Sequence, residues 1–353
     1  MLISLRKKNT NVIIMSNRRY FLLTILLFLQ PISDAAAHES GIQLTDRLRL
    51  NTTIELVHLQ INNERDGHGD QHDDENAQVY IFDFNAQFHE RISGVFLFEA
   101  EHNDAEFISF IDEAHLQIDL GWGDLKFGKQ YVSFGKFATS FYADPLTLFA
   151  ETNRNAFLTA FSINETVTLS AYASDSKASD TTSDDGYDFG MSVDLNLFDD
   201  RLQIGSAYLS DLAESGAELL CENDNRYQQR VAAATLYAHW HLDSFSMFAE
   251  YITALEHYRE LDSNANHPRA AHIELGWQYS DDLSFAVRYE YSDELSDAPE
   301  QQYGLSATWQ ALPYLSLIAD YLYADYKNNF VFDDDGIALE HSHLFGVQAV
   351  FEF

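Results

Sequence analysis

Charged side chains recur in this sequence at spacings that suit holding ions more than making or breaking bonds. The run FGKQYVSFGKFATSFYADPLTLFAETN, residues 127–153, carries Lys136, Asp144 and Glu151, with Arg154 just beyond. Opposed acids and bases of this kind, held across an aqueous passage, set a local field for whatever crosses it. A second cluster, DGHGDQHDDE at 66–75, offers His68, Asp70, His72, Asp73 and Asp74. Carboxylate oxygens suit calcium and paired imidazoles suit a transition metal. A divalent cation on this acidic loop is therefore one reading, in a structural rather than catalytic role. The spacing matches no fixed ligand pattern, so a solvated acidic loop is the plainer alternative. FDDDG at 332–336 carries the same two readings, and no other cofactor is implied.

Bond-making chemistry lacks its usual signatures. There is no G-x-S-x-G, no H-E-x-x-H and no phosphate-binding glycine loop. His239 and His241 flank Trp240 and invite comparison with outer-membrane phospholipases, whose serine and histidine lie on the barrel exterior. Here the two histidines alternate with the apolar residues of their segment, which assigns them to the opposite face. No enzyme is expected.

The elements that position these groups are strands. In LSFAVRYEY, Leu283, Phe285, Val287, Tyr289 and Tyr291 share one face, while Ser284, Ala286, Arg288 and Glu290 share the other. DFGMSVDLNL at 188–197 and QYGLSATWQA at 302–311 alternate in the same way, and helical spacing would mix their faces. Such segments fall at roughly 45–61, 78–89, 92–102, 110–121, 123–131, 153–162, 166–174, 186–197, 201–210, 229–242, 245–255, 269–280, 283–293, 301–312, 314–326 and 340–353. Short connections (Glu90-Arg91, Asn164-Glu165, Asp199-Asp200, Asp281-Asp282) alternate with long acidic ones such as RDGHGDQHDDENA and CENDNRYQQ. An even strand number with turns on one side and loops on the other describes a transmembrane β-barrel.

The fold expected is all-β: an antiparallel up-and-down barrel of about 16 strands. A soluble β-sandwich is the competitor, but it would not sort every other connection by length. Nor would it crowd strand ends with Tyr208, Tyr237, Trp240, Tyr251, Trp277, Tyr279, Tyr289, Tyr291, Trp309, Tyr321 and Tyr323, as interfacial girdles do. The aperiodic segment 132–152 is long for a connection, and such loops are usually functional. It is expected to fold toward the lumen, the alternative being a loop resting on the rim.

Arg18 and Arg19 before the apolar run 21–29, then Ala35-Ala36-Ala37, read as an export signal over residues 1–37, with Met15 an alternative start. The barrel would occupy 38–353. Removing the leader leaves 16 basic and 55 acidic residues, a charge of −39, which excludes a nucleic-acid partner. The single cysteine, Cys221, cannot form an intrachain disulfide and reads as incidental. The closing segment HSHLFGVQAVFEF is amphipathic and ends on Phe353, resembling the signal read by the outer-membrane assembly machinery.

With the apolar face turned to lipid, the other face lines a channel. It carries Arg47, Arg49, Glu55, Asp83, Glu99, Glu101, Glu113, His115, Asp119, Lys126, Asp188, Asp194, Glu250, Glu274, Arg288, Glu290 and Asp320. Acids outnumber bases, which predicts a preference for cations. Lys136, Asp144, Glu151 and Arg154 are the expected constriction charges, and Phe134, Phe137, Phe141, Tyr142 and Phe149 would hold the loop to the wall.

The run 127–153 resembles a family of Gram-negative porins with a G-K/R-Q strand core, an F-G-x-F element and an S/A-D-P-L-T-x-x-x-x-E segment. The matching positions are Gly128, Lys129, Gln130, Phe134, Gly135, Phe137, Asp144, Pro145, Leu146, Thr147 and Glu151, with Ser133 where the family has proline. The chain is similar to LbtU-type siderophore porins, relatives of the phosphate-selective porins O and P. The resemblance implies passage of a ferric siderophore without a TonB-type plug, for which the early first strand leaves no room. A general cation-preferring diffusion porin and a non-transporting adhesion barrel remain alternatives. Expected partners are outer-membrane lipid, lipopolysaccharide, the assembly machinery, the siderophore or small hydrophilic solutes, and further copies in a homotrimer.

Overall fold

A computed structural model describes residues 41–103, 106–176, 186–215, 229–259, 261, 263–327, 329–333 and 335–353. The leader at 1–37, the barrel start at 38 and Cys221 lie outside these residues. The first strands are β1 Ile42–Thr45, β2 Leu48–Arg65, β3 Gln71–His89, β4 Ile92–Asn103, β5 Phe107–Asp119 and β6 Asp124–Tyr131. The middle of the chain gives β7 Asn153–Ser162, β8 Val167–Asp175, β9 Tyr187–Leu197, β10 Leu202–Leu209, β11 Ala233–Leu242 and β12 Phe245–Ala254. It closes with β13 Arg269–Ser280, β14 Leu283–Asp293, β15 Gln301–Leu312, β16 Leu315–Asp325 and β17 Leu339–Glu352.

Each strand from β2 onward pairs antiparallel with its successor, and β17 returns to β2 from Leu339↔Arg65 to Glu352↔Thr53. The result is a closed barrel of sixteen strands, β2 to β17, with β1 added as a short seventeenth piece. Closure leaves no free edge, the condition for strands to cross a bilayer. β1 takes the part of the β2 edge that β17 does not reach. Thr52 exchanges two hydrogen bonds of 3.0 Å with Phe353, and Ile42↔Leu50 and Gln43↔Arg49 continue the ladder.

The two faces are inverted relative to a soluble protein. Leu275, Val287, Leu305 and Phe345 are 50%, 46%, 57% and 46% exposed, whereas Glu274, Arg288, Glu290 and Asp320 are buried. Aromatic pairs band the exterior near the turns (Phe245–Trp277, stacked at 6.3 Å) and near the loops (Tyr289–Tyr303, 5.2 Å). Rings with polar edges suit the two lipid–water boundaries.

Three expectations change. The acidic connection expected from residue 65 to 77 shrinks to 66–70, because β2 and β3 run to 18 and 19 residues. That is well beyond the roughly 9–11 a membrane strand needs, so this hairpin projects past the bilayer. Arg47 is not in the lumen; it sits exposed in the turn before β2, with Nη1 3.4 Å from the Phe88 carbonyl. Tyr237 is not a girdle residue. It shares the face of Thr235 and points inward, 3% exposed.

This sidedness has a measurable consequence. Val287→Arg should cost about 2–4 kcal/mol of folding free energy in lipid, and Thr53→Arg on the acidic lumen wall should cost less. Urea titrations of folding into vesicles will read both; equal losses would contradict the assigned faces.

Candidate functional site

The chain leaves the wall at Tyr131, folds into the lumen, and rejoins the wall at Asn153. Local sequence sets the path. Gly128, at φ +128°, passes so close to β5 that a Cβ would lie 2.3 Å from the Ala114 carbonyl. Gly135, at φ +78°, reverses the chain over the ring of Phe137, where a Cβ would meet it at 2.4 Å. Phe137 is itself left-handed at φ 51°, a strained state that a bulky residue keeps only when its surroundings hold it there.

Those surroundings are wall carboxylates. Lys136 and Phe137 donate successive N–H groups to the two oxygens of Glu250 on β12, at 2.8 and 3.0 Å. Thr139 Oγ1 and the Ser140 N–H donate to Glu274 on β13, at 2.8 and 2.9 Å. The Tyr142 N–H donates to Asp320 on β16 at 2.6 Å, and the Leu146 N–H to Glu290 on β14 at 2.7 Å. Arg288 returns the favour to the loop's acceptors: Nη1 donates to the Ala143 carbonyl at 2.7 Å and to Thr139 Oγ1 at 3.2 Å. Its guanidinium lies 4.4 Å over the Phe141 ring.

A further tier holds the anchors. Glu274 faces Arg288 and His272 faces Glu290 across the β13–β14 pair. Glu290 Oε2 lies 3.0 Å from Arg288 Nε, and Glu290 Oε1 lies 3.1 Å from His272 Nδ1, all three side chains fully enclosed. The Glu274–Arg288 opposition stabilises the ladder, and the buried Arg288 and Glu290 on one strand have each other as partners. Apolar contacts finish the docking. Phe134, Phe149 and Ala150 pack with Leu209, Ile252 and Ala270, while Phe141 packs with Leu59, Ile61, Leu322 and Leu344.

The expected constriction charges separate. Lys136 Nζ pairs with Asp194 on β9 at 3.1 Å. Asp144 is exposed at the loop tip, and its charge acts on Glu55 of β2 and on the Tyr142 phenol. Burial first, and then the charges of Asp144, Glu55, Glu101 and Glu75, push that phenol above its ordinary range. Glu151 closes the short helical turn Leu146–Ala150 that follows Pro145, its N–H bonded to the Leu148 carbonyl. Arg154 lies opposite Gln130 on the β6–β7 pair.

Glu99, Glu101 and Glu113 line the β4–β5 wall, with Glu113 Oε2 3.3 Å from His115 Nδ1. Asp119 accepts the Gly121 N–H at 2.6 Å and shapes a turn. Gln130 Nε2 donates to the Ala156 carbonyl at 3.0 Å, tying wall strands together. Lys129 lies on the opposite face, bonded to the Ile111 carbonyl.

The metal candidates are not gathered. His68 and Asp70 stay in the 66–70 connection, while His72 and Asp74 alternate in exposure with the half-buried Asp73 along β3. Among the described residues no three His, Cys, Asp or Glu side chains come together as ligands. Asp333 serves its own loop, accepting the Asp335 and Ile337 N–H groups and pairing with Arg65 at 3.1 Å. His239 and His241 lie side by side, rings 4.3 Å apart. Glu250, Glu274 and Asp320 were legible as lumen residues but not as loop anchors. The only signal for that role is the loop's own excess of N–H groups with no ladder partner.

No protein-family model and no curated protein matches the sequence. Solved structures do match. Salmonella typhi OmpF, in a complex with daunomycin, aligns at TM-score 0.63 and 12% identity over 87% of this chain and 98% of that one. Pseudomonas putida OprB aligns at 0.60 and 10% over 86% and 94%, and Vibrio cholerae OmpT, in a trimer form, at 0.54 and 12% over 87% and 100%. At such identities the likeness is one of fold: this chain is a porin-type sixteen-stranded barrel.

Removing an anchor should release the loop. Glu250→Ala strands two loop N–H groups, each worth about 1–3 kcal/mol when left unmade. Single-channel records of the variant should show a larger, noisier open state, and wild-type traces would contradict the anchoring role.

Proposed function

We propose that this barrel is an outer-membrane diffusion channel, narrowed where the loop tip meets the acidic wall of β2 to β5. The carrying observation is the one-sided use of acids. Glu250, Glu274, Glu290 and Asp320 are consumed as acceptors for the loop on the β12–β16 wall. Toward β2 to β5, the exposed Asp144 and the wall residues Glu55, Glu75 and Glu101 all bear electrostatically on the Tyr142 phenol. A passage bounded on one side by fixed negative charge concentrates cations, which supports cation preference even after the anchors are subtracted.

Siderophore passage is the finer part of the proposal. It rests on the resemblance of 127–153 to the siderophore porins, and the motif now has a mechanical reading. The F-G-x-F element places two N–H groups on Glu250, and the D-P-L segment places a third on Glu290. Both uses concern loop placement, so they fit any solute that needs this constriction. A homotrimer belongs to the same proposal, supported by the fold shared with porins of that assembly.

Reconstituted protein should conduct in steps, with a reversal potential across a salt gradient of the sign given by cation selectivity; anion selectivity would overturn the charge reading. Deleting residues 137–146 should raise the conductance, and an unchanged value would remove the constriction role. Uptake of radiolabelled ferric siderophore by cells with and without the protein decides the cargo: equal uptake leaves a general diffusion porin.

A further inference from the structure

Between the loop's first limb and the wall of β8 to β11 lies an alcove of about 270 Å³, lined among others by Ser133, Lys136, Ser170, Ser192, Asn196 and Gln203. Ser170 and Ser192 face each other in register on β8 and β9, and Asn196 faces Gln203 on β9 and β10. Thr168, Asn196 and Gln203 lie within two residues of the short connections 163–166 and 198–201, so the alcove sits on the turn side of the constriction.

Its chemistry differs from the rest of the lumen. The one carboxylate lining it among the described residues, Asp194, is already engaged by Tyr237 Oη at 2.6 Å, Gln203 Nε2 at 2.9 Å and Lys136 Nζ at 3.1 Å. Lys136 and Asp194 cancel, leaving a local net charge of zero in a strongly acidic protein. Ser170 and Ser192, 9% and 7% exposed, line the alcove and turn their hydroxyls to its space. Water meets such groups when nothing else does, and a solute with matching donors and acceptors can displace it.

Those hydroxyls and the Asn196 amide each present a donor and an acceptor. An anion could use only the donors and would lie against Asp194. A cation would be repelled by Lys136 and would leave the donors unused. A neutral polyol matches both sets at once. At about 30 Å³ per water, the alcove displaces roughly nine waters, the bulk of a molecule with about a dozen non-hydrogen atoms.

We infer that the alcove is a resting subsite for an uncharged, polyhydroxylated solute of about hexose size, occupied on the turn side of the constriction. The inference rests on the channel reading above. Its consequence is saturable retention of such a solute where simple diffusion would give none.

The test is ion current through the reconstituted full-length protein, titrated with glucose and, separately, with gluconate. Wild-type current should fall saturably with glucose, and gluconate should require a higher concentration for the same effect. The triple variant Ser170→Ala, Ser192→Ala, Asn196→Ala should need about tenfold more glucose, since each lost hydrogen bond weakens binding severalfold. Wild type and variant titrating alike would overturn the subsite, as would a current that merely tracks solution conductivity for both solutes. Salt conductance in the same membranes separates the two readings. A conducting protein without saturable block sinks the subsite alone, whereas no conductance sinks the channel and the subsite together.

Discussion

A polypeptide segment placed inside a barrel has the same obligation as one placed in a membrane: its N–H groups must find acceptors. Strands discharge that obligation along their ladders, but an irregular loop has no ladder. Here the wall supplies carboxylates instead. Five loop N–H groups and one hydroxyl reach Glu250, Glu274, Glu290 and Asp320. Each carboxylate offers two acceptor oxygens, and together they fix the irregular part of the loop in one path. The left-handed turn at Gly135 and Phe137 and the buried Arg288–Glu290–His272 network follow from that requirement.

The fold was legible because its two faces meet different solvents. Leu283, Phe285 and Val287 against Arg288 and Glu290 leaves one consistent assignment, and sixteen such segments leave one architecture. Where both faces are wet, the signal vanishes. Asn62 to Arg65 at the end of β2 and Gln71 to Asn76 at the start of β3 are polar on both sides, so they read as loop although they are strand. Tyr237 misled in the other direction, because strand-end position suggested a girdle while its parity with Thr235 placed it inside.

The candidate site was legible only in part, for a different reason. Alternation placed Glu250 and Glu274 in the lumen, but nothing local says what a lumen acid does. Lys136 and Glu250 are 114 positions apart, and a contact of that span has no periodic trace. The acidic excess therefore looked uniform along the lumen, whereas the folded chain divides it. Glu250, Glu274, Glu290 and Asp320 on β12 to β16 are spent on holding the loop, while Asp144 at its tip stays exposed. Asp119, read as a channel charge, also accepts the Gly121 N–H in the turn that follows β5.

The seam of the cylinder has implications for how it is made. β17 and β2 join segments from opposite ends of the barrel sequence, and ladders of such span form slowly because a large loop must close before any pairing is gained. β1 abuts Phe353 on the same edge of β2, so it can complete that edge but cannot take the place of the last strand. The β17–β2 ladder is the pairing of greatest sequence separation in the barrel wall. In the closed cylinder the β1–β2 hairpin occupies the edge just beyond Thr52, so a slip of β17 toward that side would run into β1.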